Sequence, residues 1–82
     1  MEPVILDSAR KRGIADEDIR HAWQNVIHTV ELNRGMYGLI GPDREGNLLE
    51  LGQQAANEIP PVIVHAMPCR DWLLAKARGQ RR

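Results

Sequence analysis

Pro61-Val62-Ile63-Val64-His65-Ala66-Met67-Pro68-Cys69-Arg70 is the stretch whose reading decides the fold. Its unbroken apolar run suits a strand covered on both faces, and the β-branched trio Val62, Ile63 and Val64 favours a strand over a helix of equal hydrophobicity. Pro68 lacks the N–H that a ladder needs, so pairing is expected to stop there and give way to a helix. Polar groups at the end of a buried strand stand against a rigid floor, which places any chemistry near His65 and Arg70.

Toward the N-terminus, Gln53 to Pro60 reads as a polar loop and Leu48 to Gly52 as a strand. Gly41-Pro42-Asp43-Arg44-Glu45-Gly46-Asn47 supplies the proline, aspartate and glycines of a hairpin loop, preceded by a strand over Met36 to Ile40. Asn33-Arg34-Gly35 is a turn. Before it, His28, Val30 and Leu32 alternate with Thr29 and Glu31, the period of a strand. Earlier still, Ile19, Ala22, Trp23, Val26 and Ile27 recur at spacings of three and four, the stripe of a helix that begins near Ile14. Asp16, Glu17 and Asp18 put negative charge in its first turn, where the helix dipole favours it. Asp7 to Gly13 reads as a short basic helix with Asp7 as cap and Gly13 closing it.

Beyond Pro68 a last helix runs from about Arg70 to Ala77 and buries Trp72 and Leu73. The expected architecture is α+β: two N-terminal helices, a mainly antiparallel sheet of about four strands, and a C-terminal helix. Residues 1–75 form a single domain and residues 76–82 a basic C-terminal tail.

A chain of 82 residues buries only about 60–65% of its unfolded surface, so its core is thin and a partner would help it. Aromatic residues make up 4%, leaving the core to Val, Ile, Leu, Ala and Met. Lys+Arg and Asp+Glu are equal at 11 each, so there is no bulk field to draw nucleic acid, and such binding must come from a local patch. The single cysteine, Cys69, excludes an internal disulfide. No run approaches the roughly 18 apolar residues of a membrane span, and the N-terminus lacks a basic region followed by an apolar one. A soluble, cytoplasmic protein without membrane contact is expected.

His21, His28 and His65, with Cys69 or Glu50, do not have the close spacing of a metal site, so no metal or cofactor is expected. Cys69 beside Arg70 stands where a thiol pKa can fall, although a structural thiol is the more ordinary reading. Gly41 to Gly46 has no following helix or lysine and is not a phosphate loop. What remains is a basic and polar set: Arg10, Lys11, Arg12, His21, Arg34, Arg44, His65, Arg70, Lys76, Arg78, Arg81 and Arg82. Metal-independent RNA cleavage needs such groups: a base for the ribose 2′-hydroxyl, an acid for the leaving 5′-oxygen and a cation on the phosphate. Each also has a bland reading. Arginine runs are usually solvated, and a histidine on an apolar strand is more often hydrogen-bonded in the core. Trp23 and Trp72 are more often core or interface residues than base-stacking platforms.

Ile5-Leu6-Asp7-Ser8-Ala9, Gly13-Ile14, Asp18-Ile19-Arg20-His21-Ala22, Ile40-Gly41-Pro42-Asp43, Leu49-Glu50 and Val64-His65-Ala66-Met67-Pro68-Cys69-Arg70 together resemble small bacterial BrnT-like toxins of type II toxin–antitoxin pairs, within the RelE-like ribonuclease superfamily. The resemblance spans about residues 5 to 74. It implies a metal-independent endoribonuclease held inactive by an antitoxin protein that covers its basic surface. The positions it carries over are His21, Asp43, Arg44, Glu50, His65 and Arg70. On that footing Arg70 binds phosphate and His65 transfers the proton with His21 or Glu50 as counterpart; Arg10, Arg12, Arg34 and Arg44 of the basic set are the expected RNA contacts. Similar sequences carry a capping serine where this chain has Ala15 and an alanine where it has Cys69. The alternative is a non-catalytic interaction module, homodimeric or heteromeric, in which Trp23, Trp72 and Leu73 form the interface and the histidines are structural.

Overall fold

The alternating and apolar runs become the strands of one sheet in the computed structural model, which describes residues 1–54 and 59–79. The strands are β1 (Val4–Ile5), β2 (His28–Glu31), β3 (Met36–Pro42), β4 (Leu48–Gln54) and β5 (Val62–Pro68), and the helices are α1 (Asp16–Gln24) and α2 (Asp71–Gly79). Sheet order is β1-β5-β4-β3-β2. β2 to β5 form an antiparallel meander, and β1 joins β5 in parallel through Val4 opposite Val62 and Ile5 opposite Ile63. The domain is therefore α+β with a five-stranded mixed sheet and two helices.

Three expectations are corrected. The first expected helix is a four-residue 3₁₀ turn, Asp7–Arg10. Asp7 does not cap it; its carboxylate accepts from Arg10 instead. Only Ala9 of the turn is buried, and the Ser8 hydroxyl bonds the Val64 carbonyl, so the segment is fastened to β5 rather than extended as a helix. The fifth strand, β1, is two residues long and pairs across almost the whole chain, so no local period marks it. Trp72 is exposed, because the buried stripe of α2 is Leu73 and Ala77, four apart, and Trp72 falls one position off it.

Other boundaries shift. β4 continues through Gln53 and Gln54, where a polar loop was expected, because the Gln53 side-chain oxygen accepts a 2.9 Å bond from Trp23 Nε1. Residues 55–58 of that loop lie outside the described residues. Pro68 ends β5 as expected. α2 runs to Gly79, so Lys76 to Gly79 are helical rather than tail, and Ala77 is buried; residues 80–82 lie outside the described residues.

The helices take opposite faces. Ile19 and Ala22 of α1 pack with Ile5, Ala9, Leu39, Leu49, Leu51, Ile63 and Ala66, while Leu73 and Ala77 of α2 pack with Val30 and Ile40. Leu39 and Ile40 are neighbours in β3 and therefore point to opposite sides. One glycine marks where helix and strand backbones touch: a Cβ on Gly41 would strike the Ala22 carbonyl of α1 and lie 3.1 Å from the Asn25 carbonyl oxygen. Ile63 has no exposed surface at the junction of β1, β5 and the α1 layer. Ile63→Ala should cost about 3 kcal/mol in urea unfolding, the usual penalty for emptying such a site; a loss under 1 kcal/mol would mean that the site collapses freely.

Candidate functional site at the end of β5

β4 alternates Leu49, Glu50 and Leu51, so Glu50 points away from α1. It is the buried charged residue of the core, 3% exposed, and it is fully engaged. Its Oε1 accepts from Arg70 Nε at 2.8 Å and from the Arg70 backbone N–H at 3.0 Å, and its Oε2 accepts from Arg70 Nη2 at 2.9 Å. Burial pushes the Glu50 carboxyl up, but the Arg70 hydrogen bonds and the charges of Arg70 and His65 outweigh it and hold it below the usual carboxylate value. Arg70 stands just ahead of α2, where its carbonyl accepts from Leu73 and Leu74. Glu50 thus fixes the start of α2 to the sheet. The Arg70 guanidinium lies 5.1 Å from the centre of the Trp72 ring, a cation–π contact at the surface.

His65 sits opposite Gly52 in the next strand, where a Cβ on Gly52 would meet the His65 Cβ at 3.0 Å. Its Nε2 is buried, lies 3.6 Å from Glu50 Oε2 and has no hydrogen-bond partner. That separation is too long for a hydrogen bond but short for an ion pair once the ring is protonated. His65, Glu50 and Arg70 therefore form one constellation.

The remaining predicted residues are scattered. His21 lies on α1, across the sheet from Glu50; its Nδ1 is 2.8 Å from the Pro42 carbonyl oxygen, an acceptor, so this nitrogen carries the hydrogen. It cannot serve as the counterpart of His65. Arg10 is held by Asp16 through bonds of 3.0 and 2.8 Å and by Asp7 at 2.9 Å. Arg44 is held by Asp18, which also accepts its backbone N–H at 3.0 Å. These hydrogen bonds, led by Arg10 on Asp16 and by Arg44 on Asp18, lower both carboxyl pKa values. Asp43 is a turn residue whose Oδ1 accepts the Glu45 and Asn47 amides. Arg34 is exposed in the β2–β3 turn with φ +62°. Burial, with the negative charges of Glu50 and Asp71, pushes the Cys69 thiol up, the reverse of an activated nucleophile.

Arg12 has a different setting. With Lys11 and Ser8 it lines a cavity of about 430 Å³ whose other wall is Val64, His65 and Ala66. Lys11 and Arg12 are exposed and, among the described residues, make no ion pair. The cavity therefore joins two uncommitted cations to the strand that carries His65. Ser8 and Lys11 were missed as site residues. Lys11 belongs to the basic run that the sequence marks, but Ser8 is 56 positions from its partner Val64, and no spacing rule reaches that far. Among the described residues no three His, Cys, Asp or Glu side chains gather to hold a metal, and no helix is long and apolar enough to cross a membrane.

The lowered carboxyl groups set an acid limit. Glu50, Asp16 and Asp18 have folded pKa values below their ordinary 4.5, 3.8 and 3.8. The stability they contribute is fully present above those ordinary values and is lost as pH falls through the folded ones. Thermal unfolding followed from about pH 6 down to pH 2 should show Tm falling below about pH 4.5, with a shallower fall in Glu50→Gln. An unchanged slope in that variant would remove Glu50 from the account.

No protein family, curated protein or solved structure matches the chain.

Proposed function

We propose that the protein is the toxin component of a type II toxin–antitoxin pair, a cytoplasmic BrnT-like endoribonuclease that acts without metal and is neutralised by an antitoxin. The observation that carries this reading is the cavity where Lys11 and Arg12, without carboxylate partners among the described residues, stand beside His65 and Ser8. A phosphodiester brings the negative charge that these cations lack. In this reading Lys11 and Arg12 hold the phosphate and His65 takes the 2′-hydroxyl proton. Glu50, kept ionised by Arg70, stabilises the imidazolium that forms, and the imidazolium returns the proton to the leaving 5′-oxygen. Arg70 spends Nε and Nη2 on Glu50, so its first duty is to orient that carboxylate, with Nη1 left for phosphate.

A second reading, a non-catalytic interaction module, draws on one observation: Trp72 is 52% exposed under Arg70, as an aromatic anchor for a partner would be. Induced expression separates the two. Wild type should arrest growth and shorten cellular RNA, and His65→Ala and the double variant Lys11→Ala/Arg12→Ala should relieve both while retaining wild-type circular dichroism. A harmless wild type with intact RNA would transfer the chain to the interaction module.

A further inference from the structure

Ile63 and Ala66 both belong to the α1 core cluster, although residues three apart in a regular strand face opposite ways. The register with β4 resolves this: Gln53 stands opposite Ile63 and Gly52 opposite His65, so Val64 is an extra residue, a β-bulge. The bulge turns His65 onto the Glu50 face of the sheet. In an unbroken strand His65 would share the side of Ile63 and enter the α1 layer. Val64 has no opposite residue in β4, and its carbonyl accepts the Ser8 hydroxyl at 2.7 Å. β1 hands over to this bond: Leu6 N–H donates to the Ile63 carbonyl, and Ser8, two residues on, reaches the next carbonyl of β5. At the ring that the bulge carries, Nε2 is enclosed 3.6 Å from Glu50 Oε2, and Nδ1 has no hydrogen-bond partner among the described residues. With Nε2 turned inward, Nδ1 is the nitrogen left for a ligand in the cavity that His65 lines.

We propose that Ser8 is a positioning residue for His65: by holding the Val64 bulge it keeps the neutral ring with Nε2–H toward Glu50 and the Nδ1 lone pair toward the cavity. An ionised carboxylate only accepts, so Glu50 favours the hydrogen on the nitrogen that faces it. Lys11 and Arg12 line the other wall and, as donors only, offer nothing that would draw that hydrogen to Nδ1. At 3.6 Å Glu50 does not clamp the ring by a hydrogen bond, and Gly52, opposite, has no side chain to brace it. The ring's aim therefore depends on the backbone beneath it, and Ser8 ties that backbone from the cavity side. The catalytic consequence rests on the ribonuclease reading: Nδ1 is then the atom that takes the 2′-hydroxyl proton, and Ser8 sets the rate without touching RNA. The positioning itself does not depend on that reading.

The test uses the full chain labelled with ¹⁵N and long-range proton–nitrogen correlation spectra of the His65 ring in alkaline buffer, which tell the nitrogen that carries hydrogen from the one that keeps a lone pair. Wild type should show a single tautomer with the hydrogen on Nε2. Ser8→Ala should show both tautomers while retaining a folded spectrum, since Ser8 is exposed and loses one surface bond. Ser8→Thr keeps the hydroxyl and should restore the single form. A loss of stability alone would not mix the tautomers, so this signature separates positioning from general support of the fold. Where wild type cleaves RNA, Ser8→Ala should slow single-turnover cleavage about tenfold or more, and Ser8→Thr should recover it. Hydrogen on Nδ1 in wild type would overturn the proposal, and that arm needs no variant to fold. An unchanged ring signature in Ser8→Ala would also overturn it, even with slower cleavage, because Ser8 would then act on RNA directly. A chain that leaves RNA intact but mixes its tautomers in Ser8→Ala keeps the positioning and removes the ribonuclease.

Discussion

Glu50→Ala should lower the unfolding free energy by about 3 kcal/mol, as removal of one member of a buried, hydrogen-bonded charge pair does. The variant loses three bonds at once, two from the Arg70 guanidinium and one from its backbone N–H. It also frees the start of α2, whose Leu73 and Ala77 close the second core cluster with Val30 and Ile40. Urea unfolding gives the loss, and amide exchange across α2 locates it. Arg70→Ala should destabilise as well, since it leaves a carboxylate 3% exposed with the residue-70 backbone N–H and His65 as its neighbours and no guanidinium to match its charge. Apolar residues at both positions should recover much of the stability, because a buried ion pair gives little over a well-packed apolar pair. Growth arrest, if present in wild type, should be lost in that double variant even though it folds. A double variant as unstable as Glu50→Ala would mean that the site needs its charges to fold.

Gly41→Ala should be as costly, on the order of 3 kcal/mol, for an unrelated reason. Its added methyl group has to enter space held by the Ala22 carbonyl at the end of α1, a backbone atom that cannot rotate aside. α1 is also tied nearby, through the Ile27 N–H on the Ile40 carbonyl. The helix must lift from β3, which loosens Ile19 and Ala22 together. By contrast Gly46→Ala meets no atom within 4 Å and carries only the strain of φ +89°. Thermal unfolding of the two variants checks the contrast; similar losses would attribute the Gly41 effect to backbone entropy rather than to the close approach.

The sequence made the meander legible because each of its strands has a local signal: alternation at His28 to Leu32, turn residues at Asn33 to Gly35 and Gly41 to Asn47, and the β-branched run at Val62 to Val64. It hid β1, whose two residues have no period and whose partner is at the far end of the chain. It also placed Trp72 inside, since a helix of nine residues leaves the phase of its stripe undecided by one position. The site was legible in part. Glu50, His65 and Arg70 came together because strand alternation and the break at Pro68 are readable. His21 was named as a counterpart of His65 although the two stand on opposite sides of the sheet, because a histidine on a helix does not announce which layer that helix joins. Arg10 and Arg44 passed for free cations because their carboxylate partners, Asp16 and Asp18, were read only as first-turn charges for a helix dipole.

The position of β1 also bears on the order in which the molecule assembles. β2 to β5 can close by successive hairpins between neighbours in the chain, each needing a short loop. The first strand and the Ser8 bond have to wait for β5, since Ser8 and Val64 are 56 positions apart and closing so long a loop is slow. The N-terminal ten residues are thus expected to dock last, and until they arrive the edge of β5 away from β4 is bare. A chain refolding at high concentration passes through a stage in which its most apolar strand has an open side, and the two residues Val4 and Ile5 end it.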